Sequence, residues 1–333
     1  MDPLRIGILG AARITSEALI KPAQLTGHHL VAVAARDPHR AQDFASSNGI
    51  DRVVGSYLDL VSDPDIEAIY NPLPNGLHGP WNIEAMRAGK HVLSEKPSAS
   101  NATEARAVAA VQAETGQRFM EAFHYRYHPV MRRMVELAGN EEIGDIEHVE
   151  VVMGFPLNDP DDPRWDFDLA GGALMDLGCY AIHGIRSLGE HLGGEPRVSA
   201  ATAVPREVDP RVDEELSGDL VYPSGTTAHF RSSFVLPEVT MTMHLRGTKG
   251  EALAHQFCVS GLDPRITIVS AGESRTEHLP DRTTYTYQLD AFADYVRNGA
   301  EIFTDAEDAV TQSQMMDDCY EAAGLPLRPT IEL

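Results

Sequence analysis

Apolar residues follow two different rhythms along this chain. In the first part, short apolar runs alternate with segments of 3.6-residue period. That is the pattern of strand–helix–strand units in a parallel sheet with helices on both faces. It predicts strands over 5–9, 30–34, 66–70, 91–94 and 119–123, and helices over 14–25, 38–45, 79–88 and 102–113. From about residue 146, Val, Thr and Phe alternate with polar residues in 148–155, 199–204, 217–221, 226–234 and 240–245. Strands joined by short turns suggest an antiparallel sheet. Pro223-Ser224-Gly225 reads as a hairpin turn between two of them. A helical segment over 172–188 interrupts, and 287–297 and 305–323 return to helix. The expected fold class is α/β. A doubly wound parallel sheet occupies 1–123, and an α+β domain with one large, mostly antiparallel open sheet occupies 124–333.

A length of 333 residues suits two domains and needs no staple of disulfides or metal. Apolar residues at 43% and charged residues at 23% make an ordinary globular mix. Lys and Arg number 27 against 50 Asp and Glu, a formal charge of −23 that repels nucleic-acid backbones. A small anion in a local basic pocket stays compatible with it. Three cysteines, Cys179, Cys258 and Cys319, show no CxxC spacing. They fit free thiols in a reducing, cytoplasmic compartment. No apolar run reaches membrane-span length, and Met1-Asp2-Pro3-Leu4-Arg5 leads into a strand without a secretory h-region. The histidines make no metal-ligand spacing: His28-His29 adjoin a turn, and Pro129 follows too soon for His124 and His128 to share a helical face.

The first strand ends in Gly7-Ile8-Leu9-Gly10-Ala11-Ala12-Arg13-Ile14-Thr15. Against the GxGxxG fingerprint of a Rossmann dinucleotide site, Gly10 takes the first glycine, Ala12 the second and Thr15, a looser departure, the third. The following helix N-terminus offers N–H groups to a diphosphate. The second strand ends in Ala34-Ala35-Arg36-Asp37. Ala35 leaves room where an NAD site places a carboxylate, and Arg36 can grip a 2′-phosphate, which favours NADP over NAD. Asp37 within reach of the ribose, and Arg36 as a plain surface charge, remain open.

After the fourth strand comes Ser94-Glu95-Lys96-Pro97, a lysine at the carboxyl end of a strand where such sheets bind ligands. In 172–188, Leu174, Leu177, Ala181, Ile185 and Leu188 make an apolar stripe, while Asp176, Tyr180 and His183 share another face. The plain alternative is a solvated polar face. With Lys96 the set suggests proton chemistry. A phenol with pKa near 10 becomes a base at neutral pH if a nearby ammonium stabilises the phenolate by about 3–4 kcal/mol. Lys96 supplies that charge and bonds the reacting oxygen, and Asp176 orients a substrate hydroxyl.

Four segments in order carry a resemblance: Gly7 to Ile14, Asn71-Pro72-Leu73-Pro74-Asn75-Gly76-Leu77-His78, Glu95-Lys96-Pro97, and Gly171 to Tyr180. Together they resemble the glucose–fructose oxidoreductase / inositol dehydrogenase / rhizopine catabolism (Gfo/Idh/MocA) family over essentially the whole chain. Tyr180 and the Ala-Arg-Asp strand end resemble its branch of dimeric dihydrodiol dehydrogenases, NADP-dependent D-xylose 1-dehydrogenases and glucose–fructose oxidoreductases. The resemblance implies an NADP-dependent oxidoreductase acting on a sugar or cyclic vicinal diol, with Lys96 and Tyr180 as catalytic pair and Asp176 lining the substrate pocket with Tyr125. It implies cofactor contacts from Gly10, Ala12, Arg13, Ile14, Arg36, Leu73, Asn75, His78, Glu95 and Lys96. Arg126 and Trp165 match segments beside the nicotinamide, or pack between domains. It also implies a homodimer or homotetramer through the C-terminal sheet. Asn71 and His124 depart from the branch near the expected crevice and leave the substrate open. Two other readings use the same scaffold: a cofactor-binding sensor without turnover, and a glycoside-processing enzyme that recycles its bound NAD(P).

Overall fold

The computed structural model describes residues 2–333. Six parallel strands form the first sheet: β1 (Arg5–Leu9), β2 (His29–Ala34), β3 (Arg52–Val53), β4 (Ala68–Asn71), β5 (His91–Ser94) and β6 (Phe119–Glu121). Their order is β3-β2-β1-β4-β5-β6. The order reverses at β1, the place where doubly wound sheets open a crevice at their carboxyl ends. The helices between them are α1 (Lys21–Thr26), α2 (Pro38–Asn48), α3 (Tyr57–Ser62), α4 (His78–Arg87) and α5 (Ala102–Thr115). Side chains mark where several begin: Ser56 caps α3 on the Asp59 N–H, and Asn101 caps α5 on the Glu104 N–H. The helix expected over 14–25 is a π-helical turn, Ser16–Ile20, leading into α1.

The second sheet has eight strands: β7 (Ile146–Gly154), β8 (Arg197–Pro205), β9 (Asp213–Val221), β10 (Thr227–Ser233), β11 (Thr240–Gly247), β12 (Gly250–Ala254), β13 (Arg265–Ser270) and β14 (Glu273–His278). Their order is β14-β13-β12-β11-β7-β10-β9-β8, antiparallel except for the β7–β10 pair. The turn at Pro223-Ser224-Gly225 joins β9 to β10, closed by the Gly225 N–H on the Tyr222 carbonyl. Along β7, Val149, Val151 and Met153 are buried while Glu147 and His148 reach solvent, the alternation of a sheet covered on one face. Helix α6 (Pro129–Gly139) precedes the sheet, α7 (Cys179–Arg186) interrupts it, and α8 (Thr284–Asn298) and α9 (Ala306–Ala322) follow.

His124 and His128 share no helical face: His124–Tyr127 is a short 3-10 turn, and Pro129 opens α6, where its missing N–H costs nothing and His128 Nδ1 caps the Val130 N–H. The chain forms two compact units. One compact unit is Met1–Phe123 with Tyr285–Ser313 and Pro329–Leu333, and the other is His124–Thr284 with Gln314–Arg328. Residues 285–313 return because the first core needs them. Ala306 and Ala309 lie in one apolar cluster with Leu9, Val31, Trp81 and Phe119, and the Glu121 N–H donates to the Thr304 carbonyl at 2.8 Å. Among the described residues, no helix is long and apolar enough to cross a membrane.

Candidate active site

In the first unit, β1 runs into a turn at Gly10, whose N–H donates to the Ala34 carbonyl of β2 at 2.7 Å. Gly10 has φ +83°, and a Cβ there would meet Leu73 Cδ2 at 3.0 Å, so both backbone and packing ask for glycine. Ala12 is half-buried, and Arg13 and Ile14 are exposed. Thr15 is buried with no partner for its hydroxyl.

At the end of β2, Arg36 is exposed. Asp37 is committed elsewhere: its Oδ1 accepts the His39 N–H at 2.9 Å and the Arg40 N–H at 3.3 Å, capping α2. The cap uses one of its two carboxylate oxygens. Arg40, one turn along α2, donates from Nη2 to the Ala11 carbonyl at 2.6 Å. Tyr57 bonds the Arg36 backbone and packs edge-on against Trp81, ring centroids 5.1 Å apart. Burial raises the Tyr57 phenol, and the charges of Arg36 and Arg40 pull it back. Arg40 and Tyr57 were missed in the sequence; the one signal was that Arg40 stands four residues from Arg36 at the start of a helix. Arginines at the ends of β1 and β2, a capped carboxylate and an unpartnered buried hydroxyl fit a dinucleotide carrying an extra phosphate.

Beyond β4 and β5 the polar groups interlock. Asn71 is fully buried, so it lines no pocket, contrary to its expected place near a crevice. Its Nδ2 donates to the His78 carbonyl at 3.1 Å and to Asn82 Oδ1 at 2.8 Å, folding back the loop that holds Leu73 and Asn75. His78 Nδ1 lies 2.7 Å from the Pro97 carbonyl, which can only accept, so Nδ1 carries the proton and Nε2 is bare and unpartnered. Desolvation, with the Lys96 ammonium adding to it, pushes this imidazole down to about 4. Glu95 is buried; its Oε1 accepts the Tyr70 hydroxyl at 2.7 Å and its N–H donates to Asn71. Lys96 is half-buried beside it, before a cis bond to Pro97.

In the second unit a π-helical turn, Leu174–Gly178, leads into α7. Its start is clamped from far away in sequence. Arg328 donates from Nε to the Gly171 carbonyl at 2.7 Å and from Nη2 to Asp213 Oδ1 at 2.6 Å; Asp213 Oδ2 accepts the Leu174 N–H at 2.6 Å. Both charged side chains are fully buried. Gly172, at φ +132°, lies against them: a Cβ there would stand 2.2 Å from Asp213 Oδ1.

The polar face of this segment is buried, not solvated. Asp176 Oδ2 meets Arg164 Nε at 2.9 Å. The Tyr180 hydroxyl lies 3.2 Å from His124 Nε2. His183 Nδ1 shares a 2.6 Å hydrogen bond with the Tyr125 hydroxyl. Tyr125 has no exposed surface, with Phe257 edge-on at 5.1 Å. Trp165 is also packed. Its Nε1 donates to the Asp159 carbonyl, Phe234 meets its edge and the Arg206 guanidinium covers its ring at 4.5 Å. Arg126 is buried. Thus Asp176 and Tyr180 share one face with partners that sequence spacing does not reveal, and Lys96 stands in the first unit. Among the described residues no three His, Cys, Asp or Glu side chains gather to hold a metal.

Residues 4–123 match the model of an oxidoreductase family with an NAD-binding Rossmann fold, and 131–253 match the GFO/IDH/MocA C-terminal domain. The chain belongs to the GFO/IDH/MocA oxidoreductase family. It is similar to D-xylose 1-dehydrogenase (NADP(+)) 2 of Haloferax volcanii, 38% identical over 96% of this chain and 97% of the relative. It is also similar to the trans-1,2-dihydrobenzene-1,2-diol dehydrogenase of Mus musculus, 34% identical over 75% of this chain and 74% of the relative. Among solved structures, a 3-ketoreductase from Actinomadura kijaniata, in complex with NADP and TDP-benzene, matches with a TM-score of 0.88. It is 28% identical, over 96% of this chain and 98% of that one. Family membership agrees with the fold: a six-stranded parallel sheet and an eight-stranded, mostly antiparallel one.

Proposed function

We propose that this GFO/IDH/MocA oxidoreductase uses NADP to interconvert a hydroxyl and a carbonyl on a sugar or cyclic vicinal diol. The observation that carries this reading is the buried polar face around α7, where Asp176 is paired with Arg164 and Tyr180 with His124. Buried polar groups are costly, and an ordinary structural helix face has no need of a carboxylate and a phenol together. When bound, the nicotinamide supplies the two-electron exchange by taking or giving a hydride. Gly10, Ala12, Arg13 and Ile14 would hold its diphosphate, and Arg36 its 2′-phosphate. Leu73, Asn75, His78 and Glu95, with Arg126 and Trp165, would border the rest.

The chain's own residues then manage one proton. Tyr180 takes it from the substrate hydroxyl during oxidation and returns it during reduction. Lys96 stabilises negative charge on the substrate oxygen and on the phenol, which brings tyrosine toward a neutral working range. Arg164 pairs with the Asp176 carboxylate, which accepts a hydrogen bond from a neighbouring substrate hydroxyl and orients the ring.

Purified protein given NADP and then NAD, against pentoses, hexoses, inositols and dihydrodiols, should form NADPH with one class. Lys96→Met should lower turnover by about 10²–10³-fold, the range for removing an electrostatic donor, with NADPH affinity unchanged within a few fold. A Lys96→Met variant with most of its kcat would overturn the assignment.

A further inference from the structure

The described residues hold two crossed Tyr–His pairs, from His124-Tyr125 in the segment before α6 and Tyr180 and His183 on α7. Tyr125 binds His183 at 2.6 Å and Tyr180 binds His124 at 3.2 Å, with the two tyrosine rings edge-to-face at 5.9 Å. The first pair is sealed, since Tyr125 has no exposed surface. In the second, the phenol keeps 7% of its surface exposed and the imidazole behind it only 1%. His124 has a further partner: its Nδ1 lies 2.7 Å from Thr284 Oγ1. Both ring nitrogens are thus engaged along one line, threonine to imidazole to phenol, drawn from positions 124, 180 and 284.

We propose that His124 is the positioning residue and proton acceptor behind Tyr180, held in the Nδ1–H form by Thr284. The proposal rests on the function proposed above. Thr284 Oγ1 accepts the Nδ1 proton, which leaves the Nε2 lone pair facing the Tyr180 hydroxyl. During oxidation the substrate O–H bond breaks toward the Tyr180 oxygen while the tyrosine's own proton moves to His124 Nε2. The electron pair of the substrate C–H bond leaves as hydride to the oxidised nicotinamide. The products are a carbonyl, the reduced nicotinamide and one imidazolium, which loses its proton to water before the next turnover. Tyr180 is neutral before and after, so no free phenolate has to be maintained. A distance of 3.2 Å is long for this bond, as catalytic hydrogen bonds often are before substrate tightens them.

The charges around the pair are few. Asp176, on the segment that carries Tyr180, is balanced by Arg164, whose guanidinium also lies near Asp162 and senses Tyr180. Tyr125 and His183 share their own hydrogen bond beside the pair. The function proposed above adds the Lys96 ammonium at the substrate oxygen.

Two measurements test this. Nitrogen-15 NMR of histidine-labelled full-length protein reads the tautomer without any substrate. His124 should be protonated at Nδ1 only, with its Nε2 resonance shifted in Tyr180→Phe; an Nε2–H tautomer overturns the proposal. In kinetics, His124→Gln keeps a hydrogen bond to Tyr180 and cannot take a proton. It should bind NADPH within about twofold of the parent and leave KM little changed. Its kcat for oxidation should fall about 100-fold, the low end of general-base contributions, and the acidic limb of the pH profile should move upward, toward the phenol's own ionisation. An unchanged kcat and limb in His124→Gln overturns the relay. Retained turnover in Lys96→Met instead overturns the parent reading, so the two failures are distinguishable.

Discussion

At the tip of β1, the groups suited to a nucleotide come from short stretches of chain: Gly10, Ala12 and Arg13 within four residues, and Arg36 and Arg40 four residues apart. They work largely through backbone and through half-free guanidinium groups. Around Tyr180 in the second unit, every partner comes from far away. His124 meets Tyr180, Arg164 meets Asp176, Thr284 meets His124, and Arg328 with Asp213 clamps the start of the segment. The first region is a local structure whose residues act largely one at a time. The second is a closed network in which each side chain's position depends on several others.

That contrast can be broken first at Arg328. Arg328→Met leaves Asp213 buried without its charge partner, and removing one member of such a pair costs about 3–5 kcal/mol. Urea unfolding should show a loss of that size. A loss below about 1 kcal/mol, the level of a surface pair, would mean that the clamp is no network.

Acid probes the first unit next. The folded His78 stays neutral down to about 4, while the unfolded imidazole takes up its proton near 6.5. Stability is therefore full above pH 6.5 and falls as pH drops toward 4, by about 3 kcal/mol. Burial shifts His28, His91 and His128 the same way, so the parent's total acid loss is larger. His78→Gln should flatten the profile by the His78 share; an identical slope would mean that His78 is reached by solvent.

Arg36→Ala sharpens the comparison on the ligand side. Losing charge-assisted hydrogen bonds to a phosphate should weaken NADPH binding about 10- to 100-fold and leave NADH binding within threefold, read by nicotinamide fluorescence. Equal losses for both would move the discrimination elsewhere. The smallest effect is expected from Asp37→Ala. It should cost about 1 kcal/mol of stability as a lost helix cap and leave the cofactor preference unchanged. A gain in NADP preference would show Asp37 acting on the ribose after all.

What was legible in the sequence follows the same division. The edges of β1 and β5, the turn at Gly10, and the helical stripe of Leu174, Leu177, Ala181 and Ile185 depend on neighbours a few residues apart, and spacing reports them. Helix α6 went unread because proline stops a helix from within and starts one at its first turn, and only the path of the chain decides which. Strand β14 went unseen because Glu273–His278 carries no apolar residue, and β12 and β13 because their alternating runs are only five and six residues long. Asn71 read as a pocket residue because local pattern cannot tell a polar group facing a crevice from one tied inside a loop. His124, Arg164 and Thr284 were unreadable as partners because nothing local links residues 12 to 160 positions apart.

The return of residues 285–313 to the first unit has a consequence for synthesis. Arg297 donates to the carbonyls of Asp2 and Pro3 and pairs with Glu67, so an edge made early is finished by a segment made 230 to 295 residues later. While the second sheet is being translated, the apolar patch reserved for Ala306 and Ala309 has nothing on it. A nascent chain in that state is one that holdase chaperones bind.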